Sequence, residues 1–291
     1  MAPFERIRLL RQTGGSEAST WNTTKLVALN EGVAGFWRGN LVNVIRIFPA
    51  RGVLFAANDL YKDVIFARFE RGGGAAEPKS HPVWVMFSSG GLAGMTAIVT
   101  TYPLDVARTR LAGRMHTSGE PRAREHTSMT LLLYTMLRKE GIRSWYRGVG
   151  PTLLGALPYE GIKFTVYGFI TETMLPRAQG DAVLLKLFAG AVAGTVAGIA
   201  MFPNDTVRKI MQMDGFADTG LRPPDSRPYS SAWDVWRRVY ADHGVRRFYR
   251  GVLPYILRLV PGSAIQFGAY ETLKQKQQQA NLRRRASFAG S

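Results

Sequence analysis

The stretch Pro103-Leu104-Asp105-Val106-Ala107-Arg108 decides how this chain of 291 residues is organised. It contains a proline, an acid two residues later and an arginine three residues after the acid. The same pattern occurs 100 residues earlier as Pro3-Phe4-Glu5-Arg6-Ile7-Arg8 and 100 residues later as Pro203-Asn204-Asp205-Thr206-Val207-Arg208. Chance does not place three copies at one spacing, so the sequence predicts three tandem structural repeats.

A second element follows each copy of the pattern. An acid-glycine or histidine-glycine pair leads to an aromatic-arginine-glycine triplet, and a long apolar stretch starts after that triplet. The pairs are Glu31-Gly32, Glu140-Gly141 and His243-Gly244, and the triplets end in Arg38-Gly39, Arg147-Gly148 and Arg250-Gly251. Short amphipathic helices are predicted just before these pairs, over Trp21–Asn30, Met129–Lys139 and Trp233–Ala241.

Composition excludes several classes of protein. The chain has 38 Lys and Arg against 21 Asp and Glu, a formal charge of +17, yet 46% of its residues are apolar, so it is not a disordered polycation. It contains no Cys, which excludes a disulfide scaffold and a cysteine nucleophile, and its four His lack metal-ligand spacing. We find no phosphate loop or nucleophile constellation and expect neither an enzyme nor a cofactor. Long uncharged runs also argue against a nucleic-acid-binding protein.

Two runs without any charged residue indicate a membrane protein. They cover 23 positions over residues 82–104 and 18 positions over residues 187–204. About 20 residues cross a bilayer as a helix, and the alternative for either run alone is a buried helix of a large soluble protein. The stretches 40–58, 149–169 and 252–270 are also apolar but carry one or two charges each, which favours helices that face a water-filled path.

With these motifs, the chain resembles the mitochondrial carrier family over most of its length. The resemblance implies an all-α membrane protein, with six transmembrane helices in a threefold pseudo-symmetric bundle and three short amphipathic helices on the matrix side. The repeats would occupy residues 1–70, 82–175 and 182–275, followed by a basic disordered tail over residues 276–291.

The chain departs from the family pattern at its start. In the family, an apolar stretch of about 25 residues, enough for a span, precedes the first signature proline. Here only Met1 and Ala2 precede Pro3. We expect an incomplete first helix in this sequence, because Glu5, Arg8 and Gln12 keep the family pattern; the alternative is a native protein that lacks one wall of the bundle.

The resemblance implies a gate at the matrix side. The acids and bases of the three signatures would pair between neighbouring repeats, as Glu5 with Arg108, Asp105 with Arg208 and Asp205 with Arg8. The prolines Pro3, Pro103 and Pro203 would kink their helices inward. Gln12 and Gln212 match the family's glutamine braces, whereas Ala112 stands at the third such position. The alternative is three ordinary exposed ion pairs.

A second gate, at the cytosolic side, is predicted to be thin. The family pattern there is an aromatic residue followed by an acid and then a base. Asp59 with Lys62 and Glu271 with Lys274 fit the charged positions, but Gly168 and Thr171 carry no charge in the second repeat. We expect this gate to open readily.

The substrate site implied by the resemblance lies mid-membrane, on the second span of each repeat, which is the apolar stretch that follows the Arg-Gly pair. Arg46, Gly155 and Arg258 match its contact positions, and two cations facing one cavity imply an anionic substrate. Gly155 and Ala156, with Tyr159 one turn on, resemble the pair in carriers of adenine-containing molecules. A flat ring would approach Gly155, and Tyr159 would offer a stacking face. A structural pairing of Arg46 and Arg258 with Asp59 or Glu160 is the alternative.

Together these features predict a monomeric, multi-pass carrier of the mitochondrial inner membrane. Its substrate would be nucleotide-like, such as coenzyme A or ADP/ATP, with another phosphorylated or carboxylate metabolite as the alternative. The resemblance also implies that the three Arg-Gly pairs, at the starts of helices, bind cardiolipin headgroups; the alternative is a simple interfacial belt of Arg with Trp and Tyr. The rival hypothesis is a non-transporting carrier-like scaffold or a truncated remnant.

Overall fold

The computed structural model describes residues 2–14, 19–71, 83–113, 128–174, 182–214 and 227–258, and every regular element within them is helical. The long and signature-bearing helices are α1 (Ala2–Thr13), α3 (Asn40–Arg71), α4 (Val83–Gly113), α6 (Val149–Met174), α7 (Ala182–Ala200) and α8 (Phe202–Met213). The short connecting helices are α2 (Thr20–Glu31), α5 (Met129–Glu140) and α9 (Ala232–His243). A last helix, α10, begins at residue 252 and is described through residue 258.

The three short helices lie where the sequence predicts amphipathic segments. Each starts after a serine, at Ser19, Ser128 and Ser231, and each ends at a glycine with positive φ. Those glycines are Gly32, Gly141 and Gly244, with φ of 69°, 78° and 68°. A residue without Cβ adopts this conformation at little cost, which is why these helices stop there and turn into a short 3₁₀ helix.

Apolar side chains fix two of the short helices against the signature helices. Leu132 and Met136 of α5 pack in one buried cluster with Tyr102 and Val106 of α4. In the third repeat, the cluster combines residues of α8, α9 and the following 3₁₀ helix: Val207, Ile210, Val235, Val239 and Phe248. Each cluster holds a short helix across the end of the bundle where the signatures lie, which we call the signature end.

The signature prolines affect their helices differently. α4 continues through Pro103 without interruption. In the third repeat, the chain bends by 60° between α7 and α8, and the break falls at Met201, two residues before Pro203. Proline disfavours helical continuation because it lacks an amide hydrogen and clashes with the preceding turn. The sharp inward kink predicted from the sequence is therefore developed most clearly in the third repeat.

The long helices expose large apolar side chains on their outer faces. Leu41, Phe48 and Phe55, seven residues apart on α3, are 72%, 77% and 65% exposed. Such a continuous apolar stripe suits contact with lipid rather than water. Within the described residues, the helical stretch Val33–Arg68 has the length and hydropathy of a membrane span, and the bent pair α7–α8 would provide a second.

A buried guanidinium closes the signature end in every repeat, and this feature was not predicted from the sequence. Arg6, Arg110 and Arg247 are 2%, 0% and 0% exposed. Arg110 donates to the carbonyls of Gln212 and Asp214 at the end of α8, over 2.9 and 3.4 Å. Arg247 donates to the carbonyls of Gln12 and Gly14, the equivalent positions at the end of α1, over 2.7 and 3.0 Å. The last carbonyls of a helix lack partners within the helix, so these arginines satisfy them.

The three buried arginines come from different positions in the repeat. Arg6 and Arg110 lie three and seven residues after their signature prolines, whereas Arg247 comes from the 3₁₀ helix. Where Arg247 stands, the other repeats have the small residues Gly35 and Ser144. A Cβ at Gly35 would lie 3.4 Å from Arg6 Nη1 and 2.7 Å from Glu31 Cβ, so the small residue leaves room for the ion pair.

The third repeat differs in the charge that accompanies its buried arginine. Arg6 pairs with Glu31 over 2.8 Å, and Arg110 makes a two-pronged pair with Glu140. His243 occupies the corresponding position, the last residue of α9, and within the described ranges no carboxylate contacts Arg247. Burial, with Arg250 and Arg11 nearby, lowers the pKa of Arg247 to about 10. Within the described residues, the buried Arg247 is therefore held by backbone carbonyls alone, without the carboxylate that Arg6 and Arg110 have.

Replacing His243 with Glu is expected to stabilise the protein, because it supplies the carboxylate that the other two repeats have. A hydrogen bond to a charged group contributes about 1.5–3 kcal/mol, and the midpoint of thermal unfolding of the purified protein should rise accordingly. His243→Gln, similar in length but neutral, is the control. Glu140→Gln should lower the midpoint by the equivalent of about 3–5 kcal/mol. Equal midpoints for His243→Glu and His243→Gln would contradict the interpretation.

Candidate functional site

Three ion pairs join the signatures around the axis of the bundle, in the pairing expected from the sequence. Arg108 Nη2 lies 3.2 Å from Glu5 Oε1, Arg208 Nη2 lies 2.5 Å from Asp105 Oδ2, and Arg8 Nη2 lies 2.7 Å from Asp205 Oδ2. Each acid pairs with an arginine of another repeat. The pairs therefore form a closed ring that holds α1, α4 and α8 together.

A glutamine supports two of the three pairs. Gln12 Nε2 donates to Asp205 Oδ2 over 3.0 Å, and Gln212 Nε2 donates to Asp105 Oδ2 over 2.9 Å. Gln212 also accepts hydrogen bonds at Oε1 from Thr109 and Lys209, over 2.8 and 3.0 Å. Both glutamines are fully buried, at 1% and 0% exposure, which strengthens their hydrogen bonds to the carboxylates.

The third pair, between Glu5 and Arg108, lacks this support because Ala112 replaces the glutamine. A small cavity of about 80 Å³ lies beside the pair and is lined by Glu5, Arg108, Gln12, Gly39 and Ala112 among others. In the first repeat, Gln12 is the residue equivalent to Ala112. Its side chain lies beside Gly251, and its Cγ is 3.5 Å from the place that a Cβ on Gly251 would occupy. In the same way, the Cβ of Ala112 lies 3.0 Å from the place that a Cβ on Gly39 would occupy.

Two further arginines share the acids of the ring. Arg46 Nη1 lies 3.6 Å from Asp105 Oδ1, and Arg258 Nη1 lies 2.6 Å from Glu5 Oε2. In each case the signature arginine binds one carboxylate oxygen and the predicted substrate-binding arginine binds the other. The alternative pairing considered from the sequence, with Asp59 or Glu160, is not found among the described residues: Glu160 pairs with Lys163 over 3.0 Å.

The second repeat has no equivalent of these two arginines. Gly155 stands at that position, and a Cβ there would overlap Asn204 Nδ2. Asn204 precedes Asp205 and donates to the carbonyl of Pro151 over 2.9 Å. The side of Gly155 that lacks a Cβ therefore faces α8. In this structure the glycine makes room for Asn204, rather than for the flat ring of a substrate as expected from the sequence. Gly155, Ala156 and Tyr159 are absent from the lining of the large cavity described next.

A cavity of about 580 Å³ borders the ring and extends along α3 and α4, away from the signature end. Six cations and three carboxylates line it: Arg8, Arg46, Arg51, Arg108, Arg208, Lys209, Glu5, Asp105 and Asp205. Its volume falls in the range of small-molecule sites, about 300–1,000 Å³. The excess of cations makes it a site for an anion, and the residues present offer no cluster of acidic or histidine ligands for a metal within the described residues.

The structure describes part of the end of the bundle opposite the ring. Asp59 and Lys62 of α3 make no ion pair with any residue that the structure describes. Gly168 and Thr171 lie one turn apart on α6, where the Thr171 hydroxyl donates to the carbonyls of Tyr167 and Gly168. Glu271 and Lys274 lie outside the described residues, so the predicted pairing of this end stays a prediction.

The three Arg-Gly pairs follow the same threefold arrangement. Gly39, Gly148 and Gly251 have φ of 78°, 83° and 94°. A Cβ on each would lie 3.4, 3.1 and 3.0 Å from the carbonyl oxygens of Arg108, Arg208 and Arg8, respectively. Beside Arg147 and Gly148, a cavity of about 480 Å³ lies between the starts of α6 and α9. This is where the sequence predicts a lipid headgroup.

The comparisons with known proteins agree with this threefold geometry. A sequence model of the family described as "Mitochondrial carrier protein" matches residues 1–69, 79–177 and 180–281. This chain belongs to the mitochondrial carrier family. The three matched segments coincide with the three signatures, and the all-helical arrangement is that of the carrier fold.

Several carrier proteins match 94% of this chain. The thylakoid ADP,ATP carrier protein of Arabidopsis thaliana is 34% identical, and the calcium-dependent mitochondrial ATP-magnesium/phosphate carrier protein 2 of the same plant is 31% identical. Human ADP/ATP translocase 3 is 32% identical. The chain spans 61% and 53% of the length of the two plant relatives and 91% of the human one.

Sequence reasoning missed two features of this carrier site. One is the sharing of Glu5 and Asp105 between a signature arginine and a second arginine, which depends on how far the helices tilt together. The other is Lys209, which lies 3.8 Å from Asp105 and lines the spaces on both sides of the ring. A signal for Lys209 was present, since it directly follows the signature Arg208.

Replacing Ala112 with Gln is expected to strengthen the third pair of the ring. The longer side chain fills the adjacent cavity and donates a hydrogen bond to Glu5. This bond stabilises the conformation with the ring closed by about 1.5–3 kcal/mol. The thermal unfolding midpoint of the purified carrier should rise. Ala112→Leu fills similar space without a donor and serves as the control. A rise of the same size for Leu and Gln would show that packing alone is responsible.

Proposed function

We propose that this chain carries an anionic, nucleotide-like metabolite across the mitochondrial inner membrane by alternating access. Coenzyme A, ADP and ATP are the first candidates, and another phosphorylated or carboxylate metabolite is the alternative. Membership of the carrier family supports transport rather than catalysis. The names of the relatives, which include ADP/ATP and ATP-magnesium/phosphate carriers, favour a nucleotide.

The observation that carries the proposal is the double use of two carboxylates. Arg46 and Arg258 occupy the oxygens of Asp105 and Glu5 that the signature arginines leave free. Both arginines are also partly exposed, with 27% and 28% of their side chains accessible. An incoming anion therefore competes with the ring for the same two cations.

This competition gives a physical route from binding to opening. An anion with phosphate groups offers charge-assisted, two-pronged hydrogen bonds to arginine. When Arg46 and Arg258 turn toward the anion, Asp105 and Glu5 each lose one cationic partner. The ring is then held by its signature arginines and by Lys209 beside Asp105, and the substrate shifts the population toward the conformation with the ring open.

The two ends of the bundle are assigned by the same proposal. The signature end would be the matrix gate, formed by Glu5, Arg108, Asp105, Arg208, Asp205 and Arg8 and braced by Gln12 and Gln212. The opposite end, with Asp59, Lys62, Glu271 and Lys274, would be the cytosolic gate. The cavity beside Arg147 and Gly148 would take a cardiolipin headgroup, since helix N-terminal amides and an arginine favour phosphate. The carrier would act as a monomer.

Arg46→Ala and Arg258→Ala are each expected to abolish uptake of the transported nucleotide into liposomes that contain the purified protein. One charge-assisted contact contributes about 1.5–3 kcal/mol, equivalent to roughly 10- to 100-fold in affinity, before any loss of coupling to the ring. Uptake of radiolabelled ADP, ATP and coenzyme A is the measurement.

Arg68→Ala, at the far end of α3 and outside the cavity lining, is the control for the loss of a positive charge and should transport normally. Normal uptake by both Arg46→Ala and Arg258→Ala would remove the site assignment. If the unchanged protein takes up none of the three compounds, the non-transporting scaffold becomes the better hypothesis.

The double change Gly168→Glu with Thr171→Lys is expected to slow exchange several-fold. It places an acid and a base at the positions that lack them in the second repeat, and it adds a pair to the cytosolic gate. Initial exchange rates in liposomes are the measurement. Gly168→Gln with Thr171→Gln adds similar bulk without charge and is the control. An unchanged rate in the charged variant would contradict the proposal of a thin gate.

A further inference from the structure

Arg51 is the cation of the central cavity for which no role follows from the signature or contact positions. It lies on α3, lines the cavity of about 580 Å³, and is exposed. The five other cations of this lining all lie within 4 Å of a ring carboxylate: Arg8, Arg46, Arg108, Arg208 and Lys209. Arg51 makes no ion pair or hydrogen bond within the described ranges.

The location of Arg51 along the helix argues that it faces water rather than lipid. It lies near the middle of Val33–Arg68, the stretch with the length and hydropathy of a membrane span. A charged side chain at that depth is costly against lipid and lies in a water-filled space or against a partner. On the same face of α3, Ile47 and Leu54 also line the cavity and offer Arg51 no counter-charge.

Its distance from Arg46 defines what Arg51 can bind. The two residues are five positions apart, so Arg51 lies about 7.5 Å further along the helix axis, away from the ring. An anion bound to Arg46 by one acidic group therefore reaches Arg51 only through a second group. An unpaired guanidinium in this position binds phosphate well, because it gives up no existing ion pair on doing so.

We infer that Arg51 is a further substrate-binding residue, which takes a second phosphate group of the anion held at Arg46 and selects for the more highly phosphorylated substrate. The inference rests on the proposed function and adds a determinant of specificity to it. Arg46 and Arg258 couple the anion to the ring, whereas Arg51 has no contact with the ring and contributes to affinity alone.

The test is a series of ligands that differ by one phosphate. Purified protein is titrated with AMP, ADP and ATP, and the dissociation constants are obtained from the ligand-dependent rise in unfolding temperature. Arg51→Gln should weaken binding of ATP by about 10-fold or more, weaken ADP less and leave AMP unchanged. Arg51→Lys, which keeps the charge, should fall between the wild type and Arg51→Gln. Arg68→Gln, on the same helix but outside the cavity lining, should bind all three as the wild type does.

The possible outcomes distinguish a failure of this inference from a failure of the proposed transport of a nucleotide-like anion. If the wild type binds ATP and Arg51→Gln binds each of the three ligands as tightly as the wild type does, the inference is wrong and the proposed function stands. An equal loss for AMP, ADP and ATP would also overturn it, because that result indicates a general effect on charge or folding. If the wild type binds none of the three, a nucleotide is not the substrate, and the inference is overturned together with that part of the proposed function.

Discussion

The sharing of two carboxylates between pairs of arginines is the interaction on which the rest of the site depends. Glu5 and Asp105 each hold a signature arginine on one oxygen and a second arginine, Arg258 or Arg46, on the other. This arrangement closes the signature end and, at the same time, keeps Arg46 in the lining of the cavity and Arg258 beside Glu5, which also lines it. Removing a partner from a buried ion pair is costly, so an anion that draws away Arg46 and Arg258 acts directly on the stability of the closed ring.

A second constraint, the unpaired carbonyls at helix ends, explains why the repeats differ in sequence while keeping one structure. Each signature helix ends at the same level of the bundle, and its last carbonyls need donors. Arg110 and Arg247 supply them from different positions of the repeat, and small residues replace the arginine where the guanidinium arrives from elsewhere. The requirement is for a donor at one place in space, so the sequence position that provides it is free to change.

The departures from threefold symmetry are concentrated where a substrate would bind. Arg46 and Arg258 stand at two of the three contact positions, and Gly155 occupies the third, packed against Asn204. Arg51 is present in the first repeat alone, because the corresponding residues of the other two repeats are Glu160 and Ser263. A symmetric ring below an asymmetric cavity suits a carrier that opens by a common movement of three repeats and recognises a molecule that has no symmetry itself.

The sequence by itself determined the three repeats, the ends of the short helices and the charged faces of the signatures, because each of these depends on local patterns at fixed spacing. A proline, an acid and a base lie on one helical face, and glycine after a helix predicts its end. The pairing of the acids and bases into a ring was implied by the family resemblance that these patterns carry, not by the patterns themselves. Only the tertiary structure decided that Arg46 and Arg258 share acids with the ring, that Arg247 replaces Arg110, and that Gly155 faces Asn204. Those contacts join residues of different repeats, and they depend on the tilt and approach of whole helices, which no local pattern specifies.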